Sequence, residues 1–335
     1  MTPRYFFEDF APGSTMSYGG IVVEKDDIVA FAREFDPQSF HTDEEAARAT
    51  FVGSLIASGW HTCALQMRMI AEGFILEASS MGAPGIDSVR WVRPVRPGDR
   101  LSARHTVLEA RRSSKRPEMG LVLFRFETLN QDGEVVLEQK NWIMFALREG
   151  YRQASAAPLS RPVRQPAPFS MPEPARPAPF FENLVIGERV DLGGYTFTEE
   201  NIVHFAKAFD PQPFHTDPDA AARTHFGGLC ASGWQTGAAW MKQMVAYRDR
   251  CRAAAKAADL PTAELGSSPG FTDLKWRKPV YVGDTINYAS TVVDKRETRS
   301  RPDWGLVFHH NTGTNQDGEV VFEFKGCVFW QREPG

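Results

Sequence analysis

The sequence predicts an α+β protein made of two copies of one unit, each an antiparallel sheet wrapped around a buried helix. An internal repeat, a helix that is apolar on nearly every face, and a block of strands with no helix inside it lead to this reading. The repeat comes first. Residues 31–43, FAREFDPQSFHTD, recur as FAKAFDPQPFHTD at 205–217, ten of thirteen positions being identical at an offset of 174. The same offset aligns Gly13 with Gly187, Gly19-Gly20 with Gly193-Gly194, and VGSLIASGWHT (52–62) with FGGLCASGWQT (226–236). Farther along the offset is 185, which pairs Trp91 with Trp276, Gly98-Asp99 with Gly283-Asp284, and the Asn-Gln-Asp-Gly at 130–133 with that at 315–318. The second copy therefore carries 11 extra residues between about 245 and 265, where RDRCRAAAKAADL predicts a lengthened helix.

Within the first copy, residues 25–35 place apolar side chains at 28, 31, 32 and 35, the spacing of one helix face. Asp36-Pro37 ends that helix, because the residue before proline disfavours the helical region. Asp43-Glu44-Glu45 before Ala46-Ala47 reads as a short helix with its acids in the first turn. Ser58 is an N-cap for a run from His61 to about Ala78 that is apolar on most faces, hence buried. Strand-like segments follow at 86–95, 100–110, 120–129 and 134–147, with Asn130 to Gly133 as a hairpin turn. A central helix followed by an uninterrupted antiparallel block is the hot-dog arrangement, and two copies make a double hot-dog. The expected organisation is a first unit at 1–149, a linker at 150–179 and a second unit at 180–335. Eight of the 23 prolines lie between Tyr151 and Phe180, which predicts an extended, semi-rigid spacer. Its length lets the second unit swing back and pair with the first, and leaves room for a homodimer beyond that intramolecular pair.

Composition narrows the class. The chain has 335 residues, 42% hydrophobic and 24% charged, an ordinary globular balance with room for a core in each half. A net charge of −4 argues against a dedicated nucleic-acid binder. No apolar run approaches the roughly 20 residues of a membrane span, and the N-terminus lacks the apolar core of a secretory signal. Cys63, Cys230, Cys251 and Cys327 form no CxxC pair, so free thiols and a cytoplasmic location are expected, with neither a disulfide framework nor a zinc site.

The candidate chemistry lies in Asp36, His41 and Ser58-Gly59, and in their copies Asp210, His215 and Ser232-Gly233. The acid and the imidazole are five residues apart on a proline-containing connection, so both can converge on one water and orient and deprotonate it. Backbone N–H groups where the buried helix begins carry positive dipole suited to a developing oxyanion, and glycine there permits close approach of a carbonyl. Plainer readings stand beside this one: Asp-Pro is a common turn, and Asp43 or Ser58 can serve only as caps. A His-x-Asp metal pair lacks further ligands at useful spacing. His61, whose copy is Gln235, is expected on the helix surface or at its cap. The basic loops containing Arg112, Lys115 and Arg116, and Arg296, Arg299 and Arg301, can bond phosphate, or be solvated hairpin tips. Trp91 and Trp276 are better explained by core packing than by ligand stacking.

These residues resemble the MaoC-like dehydratases, the group that includes the (R)-specific enoyl-CoA hydratases. The matching run is Asp36 to Asp43 with His41 inside it, then Ala46-Ala47, then Ile56-Ala57-Ser58-Gly59; the second copy matches as Asp210 to Asp217, Ala221-Ala222 and Ala231-Ser232-Gly233. The resemblance spans both halves outside the linker and the insertion. It implies reversible syn hydration of a trans-2-enoyl-CoA to an (R)-3-hydroxyacyl-CoA, with each Asp/His pair as acid/base and the N–H of Gly59 or Gly233 polarising the thioester carbonyl. It implies no metal or redox cofactor, coenzyme A being part of the substrate, and neither a nucleic-acid nor a membrane partner. Two departures bear on substrate range: Pro-Gln follows the Asp where better-known members have Asn-Pro, and Ser-Gly-Trp stands where they have a His-Gly pair. The alternatives are a hot-dog acyl-CoA thioesterase and a non-catalytic acyl-CoA-binding module.

Overall fold

The computed structural model describes residues 3–50, 52–149, 151, 164–174 and 179–334. Each half opens on a strand, β1 (Thr15–Val22) or β6 (Arg189–Thr196). Three helices follow in the first half, α1 (Lys25–Phe35), α2 (Ser39–Thr42) and α3 (Glu44–Arg48), and three in the second, α5 (Glu199–Phe209), α6 (Pro213–Thr216) and α7 (Pro218–Ala222). Next come the central helices, α4 (Gly59–Gly73) and α8 (Gly233–Ala257). The strands β2 (Gly85–Trp91), β3 (Arg100–Arg112), β4 (Met119–Leu129) and β5 (Val135–Ala146) then repeat as β7 (Gly270–Trp276), β8 (Thr285–Glu297), β9 (Trp304–Thr314) and β10 (Val320–Gln331).

All of these strands join one ten-stranded sheet in the order β1-β3-β4-β5-β2-β7-β10-β9-β8-β6. The halves meet where β2 pairs antiparallel with β7, Ile86 opposite Leu274 and Val89 opposite Phe271. The sheet curls around α4 and α8, so the double hot-dog and its α+β composition are as expected. The α1 face at Ile28, Phe31, Ala32 and Phe35 is buried as the spacing predicts. The insertion lengthens the helix: α8 has 25 residues and α4 has 15.

Two expectations are corrected. The strands do not form a single block, because β1 and β6 precede the helices and pair with β3 and β8 at the sheet edges. In β1 the register shifts between Gly19 and Ile21, and Gly19 has φ of +96°. A Cβ there would lie 2.6 Å from the Met69 sulfur, so glycine is what lets the strand cross α4. His61 is not on the helix surface. It is 1% exposed and stacks on Phe31 at 4.6 Å, with Phe209 of the other half at its edge.

The linker's described part, 164–174, forms neither helix nor strand. It is fastened to the second half: Arg164 pairs with Asp284 and Asp317, Ala167 N–H bonds the Thr285 hydroxyl, and the Pro172 carbonyl accepts from Arg250. Much of the expected spacer, 152–163 and 175–178, lies outside the described residues.

Candidate active sites

Asp36 closes α1. Its N–H bonds the Ala32 carbonyl at 2.8 Å, and its φ of −149° turns the chain out of the helix before Pro37. The single turn of α2 then brings His41 back, so that its Nε2 stands 3.4 Å from Oδ2 of Asp36. The two are 4% and 2% exposed. Nδ1 of His41 lies 2.8 Å from the Ile56 carbonyl, which can only accept. The proton therefore sits on Nδ1, and in the neutral ring the lone pair is on Nε2, facing the carboxylate. Ser58 donates its hydroxyl to Asp36 Oδ2 at 2.6 Å and accepts from the Trp60 N–H at 3.2 Å, which ties the carboxylate to the start of α4. Gln38 Nε2 donates to the other oxygen, Oδ1, at 2.8 Å.

Gly59 is the first residue of α4. Its N–H has no acceptor within the helix, and the end it occupies carries the positive pole of the helix dipole. The Gly59 carbonyl accepts from Trp91 Nε1 at 3.0 Å, and a Cβ on Gly59 would sit 2.5 Å from that indole. Glycine is thus required at this position by the tryptophan. Trp91 is neither simple core nor a stacking platform; it clamps the helix start.

The second half repeats this arrangement, with Cys230 in place of Ile56 adding its sulfur 3.7 Å from His215 Nδ1. His215 Nε2 is 3.5 Å from Asp210 Oδ2, and its Nδ1 is 2.7 Å from the Cys230 carbonyl. Ser232 donates to Asp210 at 2.6 Å and Gln212 at 2.9 Å. Trp276 Nε1 bonds the Gly233 carbonyl at 3.0 Å.

Each pair opens on a cavity whose far wall belongs to the other half. The Asp36–His41 cavity, about 440 Å³, reaches Trp240 and Met244 of α8 and Phe324 of β10. The Asp210–His215 cavity, about 350 Å³, reaches Met67 and Ile70 of α4 and Ile143 of β5. The fold therefore brings together Asp36, His41, Ser58 and Gly59, and separately Asp210, His215, Ser232 and Gly233. Ser58 and Ser232 are occupied by the carboxylates.

The basic loops behave unequally. Arg112 ends β3, and Lys115 and Arg116 are exposed on the loop that follows. Arg116 pairs with Glu118 at 2.8 Å. It also lies close enough to His225, in the wall of the second cavity, for its charge to add to the lowering that burial imposes on that imidazole. In the other loop Arg296 pairs with Asp294 at 2.8 Å, Arg301 lies over the Phe329 ring, and Arg299 is exposed. None of these six side chains lines either of the two cavities. Sequence reasoning missed Gln38 and Gln212 as carboxylate donors, the clamping by Trp91 and Trp276, and the exchange of cavity walls between halves. Recurrence of Pro-Gln in both copies was the available signal for the first of these.

The MaoC like domain model matches residues 9–122 and 181–305. YdeM of Bacillus subtilis is 35% identical over 132 residues, 39% of this chain and 92% of that protein. A mesaconyl-CoA hydratase of Cereibacter sphaeroides is 39% identical over 74 residues, 22% of this chain and only 20% of that enzyme. Among solved structures, a MaoC domain protein dehydratase from Chloroflexus aurantiacus superposes with a TM-score of 0.78 at 19% identity, covering 100% of this chain and 99% of that one. Rv0216 of Mycobacterium tuberculosis, described as a double hot-dog, superposes with a TM-score of 0.71 at 16% identity, covering 97% and 98%. These last two likenesses speak to the fold, whereas the family model covers most of both halves, and the chain belongs to the MaoC-like domain family.

Proposed function

We propose that the chain is a hydro-lyase that reversibly adds water to trans-2-enoyl-CoA, giving (R)-3-hydroxyacyl-CoA, at two sites. The observation that carries this reading is the buried Asp–His pair at 3.4–3.5 Å, with its basic Nε2 facing the carboxylate beside a helix N-terminus, built twice. A water between Nε2 and the carboxylate is held by two groups that can each take or give a proton. As its oxygen bonds to C3, one of its protons passes to the pair, and the pair returns a proton to C2. Donor and acceptor stand on one side of the double bond, so addition is syn. The negative charge that builds on the thioester oxygen is met by the N–H of Gly59 or Gly233 and the helix dipole. In this reading Asp36, His41, Asp210 and His215 are catalytic. Ser58, Gln38 and their copies orient the carboxylates. The phosphates of coenzyme A fall to Arg112, Lys115 and Arg116 at one site and to Arg296, Arg299 and Arg301 at the other. The mesaconyl-CoA hydratase relative is consistent with this chemistry over the segment it shares.

The test is loss of enoyl absorbance with a short trans-2-enoyl-CoA, using wild type, Asp36→Asn, Asp210→Asn and the double variant. Each single variant keeps part of the rate, and the double variant falls by about 10²- to 10⁴-fold, the range of acid–base catalysis. Release of free thiol from a saturated acyl-CoA, with no hydration, would replace this reading by thioester hydrolysis. Binding of acyl-CoA without turnover would leave a binding module.

A further inference from the structure

The duplicated halves differ where the second half forms the wall of the first half's cavity. By the repeat offsets, Phe74 corresponds to Arg248, Phe124 to His309 and Phe126 to Asn311. The sheet registers agree: Val107 faces Phe124 and His105 faces Phe126 in the first half, while Val292 faces His309 and Ser290 faces Asn311 in the second. In the first half Phe74, Phe124 and Phe126 are buried in a tight aromatic cluster with Phe10, Phe145 and His105. In the second half Arg248, His309 and Asn311 line the cavity that serves Asp36 and His41. A further cavity of about 90 Å³ continues past Met244, Arg248 and His309 toward Ser290 and Trp330.

Arg248 is half-buried on α8 and makes no ion pair or hydrogen bond with any described residue; its guanidinium lies 5.8 Å from the Trp330 ring. Burial, with Arg252 nearby, lowers it to about 10, so it stays charged at neutral pH. Burial and the neighbouring Arg248 hold His309 at about 3, so that imidazole is neutral. Two more buried polar atoms on this wall, Trp240 Nε1 and Asn311 Oδ1, have no hydrogen-bond partner among the described residues. Asp36 lies near enough for its charge to favour the charged guanidinium but makes no ion pair with it, and a cation held in such a wall without a contacting anion is costly. The outer side of the cavity is marked by Val92, 43% exposed, and by Arg93, which pairs with Glu134. Arg248, by contrast, is half-buried where this cavity meets the smaller one. Among the described residues lining the Asp210–His215 cavity the cations, Arg277 and Lys278, are both paired with carboxylates, Glu323 and Glu319, and of its buried amides Gln139 donates to Asn141 at 2.9 Å while its own Oε1 has no described partner.

We propose that the Asp36–His41 site takes thioesters whose acyl chain ends in a second carboxylate, held by Arg248, while the Asp210–His215 site takes uncharged chains. The chain would then process two substrate classes with one chemistry. The choice of thioester rests on the hydratase reading; the choice of a carboxylate rests on Arg248 alone.

Two measurements separate these. The first is equilibrium binding of saturated acyl-CoAs, matched in length with and without a terminal carboxylate, to wild type and to Arg248→Met. The carboxylated ligand should lose about 10- to 100-fold in affinity in the variant, the range of a charge-assisted hydrogen bond, and the uncharged one far less. The second is hydration of matched enoyl-CoAs by Asp210→Asn, which retains the first site, and by Asp36→Asn, which retains the second. The first variant should favour the carboxylated chain by about 10-fold or more in kcat/KM, and the other the uncharged chain. Arg248→Lys should recover part of the binding. Equal losses for both ligands in Arg248→Met, or the same preference at both sites, overturn the proposal. Arg248-dependent binding of the carboxylated ligand without any turnover keeps it and removes the hydratase reading.

Discussion

At Ser58 one hydroxyl serves the proposed acid–base pair and a helix cap together: it donates to Asp36 and accepts from Trp60. Ser58→Ala, studied with Asp210→Asn so that only the first site reports, removes a donor to the carboxylate. The expected result is a loss of about 10-fold in kcat with a smaller change in KM. An unchanged kcat would mean Ser58 is a cap only. His61 makes a different residue-scale case. Burial, with His41 nearby, pushes it down to about 3, so it is neutral in the fold and basic in the unfolded chain. The unfolded state then binds more protons, and stability is complete above about pH 6.5 and is lost as pH falls toward 3, at roughly 1.4 kcal/mol per pH unit. His61→Gln, which installs the residue of the second copy, should flatten the acid side of the stability curve by that slope. Denaturant midpoints at pH 7 and pH 5 measure it.

At the scale of elements, the helix start and its tryptophan are one device. Gly59→Ala places a Cβ 2.5 Å from Trp91, and either the indole or the first turn of α4 must move. A destabilisation of about 1–3 kcal/mol is expected, with first-site activity falling further than stability because the Gly59 N–H moves too. Retention of both under Gly59→Ala would remove the clamp from the account. The contrast between what was and was not readable follows from distance along the chain. Asp36, His41 and Ser58 lie within 23 residues and recur together, so the site was visible as a pattern. The α4 burial was visible because its apolar residues surround the axis. Gly19-Gly20 hid β1, since two glycines read as a break until the bulge over Met69 explains them. The clamp joins residues 59 and 91, and the cavity walls join residues 36 and 248; periodicity carries no signal for such pairs.

For the whole molecule, two repeats in one chain do not make two independent domains. Trp60 stands at the start of the first half's central helix, yet it stacks on Phe271 at 5.1 Å and packs on Trp240 and Phe324, all from the second half. Arg68 of α4 bonds the Ala208 carbonyl at the end of α5, and β2 and β7 weld the two sheets into one. Breaking these contacts to free one half would expose apolar surface on both and leave each cavity without its far wall. Unfolding should therefore be a single cooperative transition, with the calorimetric and van't Hoff enthalpies equal. Trp60→Ala tests the coupling, because it empties a site shared by both cores. A cost of about 3–5 kcal/mol is expected from a buried aromatic, appearing as a downward shift of the entire transition. Activity at the Asp210–His215 site, read in the Asp36→Asn background, should fall as well, although Trp60 is remote from it in sequence. A split transition in which only one component moves, with the second site untouched, would mean that the halves fold separately. In that case the exchange of cavity walls would be a contact between finished domains, not a condition for forming either site.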